Sequence, residues 1–180
     1  MSEQVAFVTG ASRGIGKACA VHLARAGFDV AATARTVHEG EAREHSSTVK
    51  KSDTRPLPGS LDATTELIRA EGREAMAVPA DLLDPASLET AVHDVLAAWG
   101  RVDVLVNNGR YIGPGHMDRF LDTPLDLLAA HLQANVMSPL LLTRLVLPQM
   151  IERGRGFVVN ISSAVAWMDP PAAPGKGGWG

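Results

Sequence analysis

Apolar positions along this chain fall into two alternating patterns: short unbroken runs, and longer stretches where they recur every three or four residues. Val5-Ala6-Phe7-Val8 is the first run and predicts a buried strand. Ile15, Ala18, Cys19, His22, Leu23 and Ala26 then share one helix face, and Gly27 stands where such a helix stops. Phe28 to Ala34 is a second run. Thr36 to Gly59 breaks the rhythm: it is polar, carries both charge signs and closes in Arg55-Pro56-Leu57-Pro58-Gly59. Connections in compact domains are typically about 4–6 residues, so 36–59 is read as an insertion loop free to move. A helix resumes over 60–71, and Ala75 to Pro79 predicts a third strand. Asp84-Pro85 is a helix start, an acid N-cap followed by proline in the first turn. Leu88, Ala91, Val92, Val95, Leu96 and Trp99 form its apolar stripe, stopped by Gly100. A fourth strand spans 102–106. Thr123-Pro124 opens a helix to about Glu152, with Asp126 in its first turn. Gly156 to Ile161 is a fifth strand, and 169–180 is a Pro/Gly-rich tail without element pattern.

Strands that are apolar throughout and alternate with helices imply a parallel sheet covered on both faces. Right-handed crossovers then give an α/β, doubly wound, Rossmann-like sheet with five strands present. The chain has 180 residues, one domain's worth, and no internal repeat. Its net charge of −3 offers no basic face for nucleic acid. The single cysteine, Cys19, excludes an internal disulfide and fits a reducing compartment. The first residues do not look like a signal peptide, and no run of about 20 apolar residues stands out as a membrane span. Cytoplasmic location is the expectation that remains.

Candidate chemistry begins at Thr9-Gly10-Ala11-Ser12-Arg13-Gly14-Ile15-Gly16, between the first strand and the first helix. A diphosphate needs backbone to approach closely, free N–H groups and the positive end of a helix dipole; glycines at a strand-to-helix switch supply all three. The plain alternative is a glycine turn with no ligand. At the end of the second strand Ala34 stands where a carboxylate would hydrogen-bond a free ribose 2′-hydroxyl, and Arg35 follows. Arg35 and Arg13 together suit a 2′-phosphate; alternatively Arg35 pairs with a surface acid. In the long helix Pro139 has no N–H, so the Asn135 carbonyl four residues earlier loses its helical partner. That leaves either a carbonyl available to a bound water or an ordinary solvated kink.

The spacing Thr-Gly-x-x-x-Gly-x-Gly resembles the short-chain dehydrogenase/reductase pattern, and three more segments resemble that family in order. Asp81-Leu82 follows the third strand, Asn107-Asn108-Gly109 the fourth, and Asn160-Ile161-Ser162-Ser163 the fifth. Arg110 departs from the pattern, standing where the family usually has glycine. The resemblance implies an oxidoreductase passing hydride between nicotinamide and a carbonyl or secondary alcohol, with NADP preferred and NAD the alternative. It assigns Thr9, Gly10, Ser12, Arg13, Gly14, Ile15, Gly16, Arg35, Asp81, Leu82, Asn107 and Gly109 to the cofactor. It gives Asn135 the relay water and Ser163, rather than Ser162, the substrate oxygen. It also implies homo-oligomers built partly on the long helix, in which Leu140, Leu141 and Leu145 are core or interface.

The family's acid/base is a tyrosine in Tyr-x-x-x-Lys, about a dozen residues beyond the serine. Here that stretch is Pro170 to Gly178 with Lys176, and the sequence has one tyrosine, Tyr111, elsewhere. The expectation is a chain cut short of its active-site tyrosine, its last strands and its substrate helices, and inactive as it stands; a non-catalytic dinucleotide-binding module is the rival. Other residues take plainer readings. His22 is a packing residue on the inner helix face and Trp99 is helix core. His38, Glu39, Glu41, Glu44 and His45 have no metal-ligand spacing and read as a charged loop. Trp167, Met168 and Trp179 line a substrate pocket, pack beneath a lid or stand exposed.

Overall fold

The computed structural model describes residues 4–163. Lys176, Trp167, Met168, Trp179 and the 169–180 tail lie outside the described residues. The predicted α/β architecture is present as five parallel strands. β1 (Val5–Thr9) is central, with β2 (Asp29–Ala34) and β3 (Ala75–Pro79) on one side and β4 (Val104–Asn107) and β5 (Phe157–Asn160) on the other. The register pairs Val5 with Asp29, Ala6 with Val104 and Val104 with Phe157. α1 (Gly14–Arg25) connects β1 to β2, α2 (Leu61–Ala70) connects β2 to β3, and α3 (Pro85–Trp99) carries the chain across to β4.

The two-residue period of β1 sorts the core into two layers. Val5 and Phe7 pack with Leu88, Val92, Leu105, Leu142 and Val146. Ala6 and Val8 face Ala20, Ala24, Leu61 and Ile68 on the other side. Burying each large side chain of this kind stabilises the fold by about 1.5–3 kcal/mol. Ser60 caps α2 by accepting the Ala63 N–H, and Asp84 caps α3 by accepting that of Ala86, as the sequence predicts for α3.

Four expectations are corrected. The buried face of α1 is Gly16, Ala20, Val21 and Ala24, not the stripe through Ile15 and His22. Small residues four apart let this helix lie close to the sheet, so His22 points outward and contacts the Ala18 carbonyl. β3 is an edge strand and half exposed, and β5 is largely exposed, so apolar composition overstated their cover. β4 begins at Val104, two residues later than expected.

The helix expected from Thr123 to Glu152 is three pieces in one rod: α4 (Leu125–Leu132), a π-helical turn (Gln133–Met137) and α5 (Ser138–Glu152). The π turn sits just ahead of Pro139, where the missing N–H prevents regular α-helical bonding. This rod is the fourth correction, because over Leu125–Glu152 it is long and apolar enough to cross a membrane, with mean hydropathy 1.2. In this fold Leu142, Val146 and Met150 are buried in the layer shared with α3.

Candidate dinucleotide site

In this topology β1 and β4 send their following segments to opposite sides, which opens a crevice at their C-terminal ends. A cleft of about 910 Å³ lies there. Every site residue read from the sequence lines it except Gly16: Thr9, Gly10, Ser12, Arg13, Gly14, Ile15, Arg35, Asp81, Leu82, Asn107, Gly109, Asn135 and Ser163. Gly16 lies beneath its floor, and a side chain there would put Cβ 2.2 Å from the Gly10 carbonyl oxygen and 2.4 Å from Asn108 Nδ2. Gly10 and Gly14 have φ of 66° and 56°, in the region that favours glycine. The space above Gly14 is open.

The turn is held from below by side chains. Thr9 Oγ1 accepts the N–H groups of Asn108 (3.0 Å) and Gly109 (2.8 Å), joining the ends of β1 and β4. Asn108 Nδ2 donates to the Thr9 carbonyl at 2.9 Å. Thr9 therefore works as a strut, and Asn108, which the sequence reading passed over, is its counterpart. The only signal for Asn108 was the Asn-Asn doublet. Asn107 turns the other way and donates to Asn160 Oδ1 at 2.9 Å, which ties β4 to β5 just before Ser162 and Ser163. Both serines are exposed on the cleft wall.

On the far wall the Tyr111 N–H donates to Asn135 Oδ1 at 2.8 Å, so the loop after β4 is pinned to the π turn. Pro139 supplies no N–H to the Asn135 carbonyl. Ser138, fully buried, donates to the Leu82 carbonyl at 2.5 Å, fixing the π turn against the segment after β3. The Tyr111 ring meets the buried His131 ring edge-on at 4.5 Å, and burial pushes the Tyr111 hydroxyl up and the His131 ring down. Arg110 is exposed and donates to the Tyr111 carbonyl.

The adenosine-side arginines differ from expectation. Arg13 is not free: its guanidinium donates to the Gly59 carbonyl at 2.9 Å. Its Nε is buried with no partner among the described residues, and burial lowers its pKa. Arg35 reaches no acid of the insertion; Asp81, 4.0 Å away, is its partner. Asp81 itself caps the next turn by accepting the Leu83 N–H at 2.9 Å.

The insertion over 36–59 is folded back rather than loose. Glu41 accepts the N–H groups of Val37 and His38, and Arg43 bridges Glu41 and the Arg35 carbonyl. The His38 N–H and the Arg43 guanidinium hold the Glu41 carboxyl down at about 2. His38 pairs with Asp62. No group of three metal-ligating side chains occurs among the described residues.

The geometry therefore offers a glycine cradle, helix N–H groups and a long cleft. Comparison with known proteins agrees. The sequence matches the short chain dehydrogenase family over residues 4–58 and 54–174. It is 33% identical over 175 residues to human dehydrogenase/reductase SDR family member 7, covering 97% of this chain and 46% of the human protein. It is 32% identical over 176 residues to an uncharacterized NAD-dependent oxidoreductase of Mycobacterium tuberculosis, covering 97% of this chain and 58% of that protein. Among solved structures it resembles a metagenomic short-chain oxidoreductase in complex with NADP, with 34% identity and a TM-score of 0.75, covering 98% of this chain and 68% of that one. The chain spans about half the length of the curated relatives it matches. It belongs to the short chain dehydrogenase family of oxidoreductases.

Proposed function

We propose that these residues hold NADP and present Ser163 and Asn135 to a carbonyl or secondary alcohol. The observation that carries the reading is the cradle at Gly10, Gly14 and Gly16, where a methyl group at Gly16 would collide with backbone. Arg13, whose buried Nε has no partner among the described residues, brings a positive charge to the same turn. When bound, the dinucleotide supplies or takes up the hydride. The first N–H groups of α1, at the positive end of its dipole, carry the diphosphate. Arg35 meets the adenosine ribose; with Ala34 beside it in place of a carboxylate, a 2′-phosphate is favoured over a free hydroxyl. Ser163 donates to the substrate oxygen. The Asn135 carbonyl, to which Pro139 offers no N–H, holds a water for proton transfer. The name of the mycobacterial relative supports NAD as the second reading.

The test is a fluorescence titration of the chain with NADPH and NADH. NADPH should bind more tightly, and Arg35→Asp should weaken it by about tenfold, or ~1.4 kcal/mol, with NADH nearly unaffected. Equal response of the two cofactors to that change sinks the 2′-phosphate assignment. The 180 residues contain no Tyr-x-x-x-Lys, and their one tyrosine, Tyr111, sits on the loop after β4. They therefore act here as a binding unit without turnover. Consumption of NADPH by the chain with any carbonyl overturns that part.

A further inference from the structure

The 36–59 insertion has no role in the reading above, yet it makes one of the walls of the cleft. Glu41, Arg43, Glu44, His45, Arg55 and Leu57 face the same space as Gly10 and Ser163. Its two ends are rooted beside the phosphate turn. Leu61 N–H donates to the Thr36 carbonyl, Arg13 donates to Gly59, and Gly59 N–H donates to Glu39. Gly59, at φ 104°, lies so close to Ser12 that a Cβ would fall 2.5 Å from the Ser12 carbonyl oxygen.

The tip reaches across to the segment after β4. Its own fold is closed by His45 N–H on the Asp53 carbonyl (2.9 Å) and by Glu44 accepting the N–H groups of Ser46 (2.8 Å) and Asp53 (3.0 Å). Thr48 Oγ1 then donates to Asp118 Oδ1 at 2.6 Å, and Val49 N–H to Asp118 Oδ2 at 2.8 Å. Met117 N–H donates to the Ser47 carbonyl at 3.0 Å. Both oxygens of one buried carboxylate are thus spent on the tip, 69 and 70 residues away in sequence.

We infer that the insertion is a roof over the dinucleotide cleft, clasped at Asp118, and that the cofactor enters and leaves by opening that clasp. The inference rests on the proposed dinucleotide binding. The clasp consists of polar bonds, and the apolar residues beside it, Val49 and Met117, are each 40% exposed. A contact with so little apolar burial opens at low cost while the two core layers stay intact. The roots differ, being pinned under the phosphate turn. The tip therefore swings while the base stays. Gly40, exposed at φ 86° with open space where a Cβ would stand, gives the first limb a pivot.

Stopped-flow NADPH fluorescence on the full chain tests this. Thr48→Val removes one clasp bond, together with the Lys50 N–H bond to the same hydroxyl, and Asp118→Asn weakens the acceptor. Each should raise both association and dissociation rates, by about tenfold or ~1.4 kcal/mol for Asp118→Asn, with a smaller change in equilibrium affinity. Tryptic cleavage at Lys50 and Lys51, on the exposed tip, should quicken in both variants and slow in wild type when NADPH is bound. Wild-type rates and cleavage in folded variants overturn the clasp alone. Failure of the wild type to bind either dinucleotide overturns the clasp together with the reading beneath it. If Asp118→Asn does not fold, Thr48→Val decides.

Discussion

Two glycines of the phosphate turn separate two physical demands. Gly14 stands in open space with φ 56°, so alanine there meets no neighbour and pays only backbone strain. Gly16 has ordinary helical φ but no room, with the Gly10 carbonyl and the Asn108 amide inside any Cβ radius. Gly14→Ala should therefore cost about 1–2 kcal/mol and weaken dinucleotide binding less than Gly16→Ala does, its methyl standing in the open space of the cradle. Gly16→Ala should cost about 1–3 kcal/mol and weaken binding at least tenfold, because the floor must move. Thermal melts and NADPH titrations of the two variants distinguish these outcomes; equal effects would refute the distinction. The glycines were legible because their spacing is local. Asn108 was not, because an amide that props a turn 98 residues earlier has no mark of its own in sequence.

Among the elements, the interrupted helix does most to shape the far wall. Pro139 announced an unpaired carbonyl at Asn135, and the π turn is the form that the disturbance takes. Sequence reasoning located the perturbation but not what braces it. The brace is Ser138, whose hydroxyl donates to the Leu82 carbonyl and receives Gln133 Nε2 at 3.2 Å. Ser138→Ala should destabilise the chain by about 1–2 kcal/mol, since it leaves the half-buried Leu82 carbonyl without this donor. It should also raise hydrogen exchange in 133–138 more than in β1. Uniform exchange across both segments would show that the brace is not local. The rotated face of α1 is a related miss. Apolarity pointed to Ile15, whereas the close approach needed small residues, and Ile15 is 62% exposed at the turn.

For the molecule as a whole, Asp103 ties three distant segments together at the end of the sheet opposite the cleft. It accepts the Val5 N–H at 2.8 Å and pairs with Arg101 at 2.6 Å and Arg153 at 3.5 Å. Burial alone would raise its carboxyl. The hydrogen bonds from Arg101 and Val5, with the charges of Arg101 and Arg153, outweigh that and hold it below its ordinary 3.8. A depressed carboxylate contributes stability that is complete above the unfolded value and lost as pH falls through the folded one. Melting temperature should therefore fall below about pH 4, and Asp103→Asn should flatten that fall while costing about 2–4 kcal/mol at neutral pH. An unchanged acid limb in the variant would exclude Asp103 as its source. The strand order and the glycine turn could be read in advance because each strand and each motif is contiguous. The roof could not: Thr48 and Asp118 are common residues whose meeting depends on the finished fold. The central position of β1 has a consequence for how the protein is made. Its partner β4 and the two amides that Thr9 braces arrive about a hundred residues later in the chain. At ribosomal speeds of roughly 5–20 residues per second, the nascent first strand waits about 5–20 s with one edge bare, and the glycine turn is not braced until the growing polypeptide has passed Gly109.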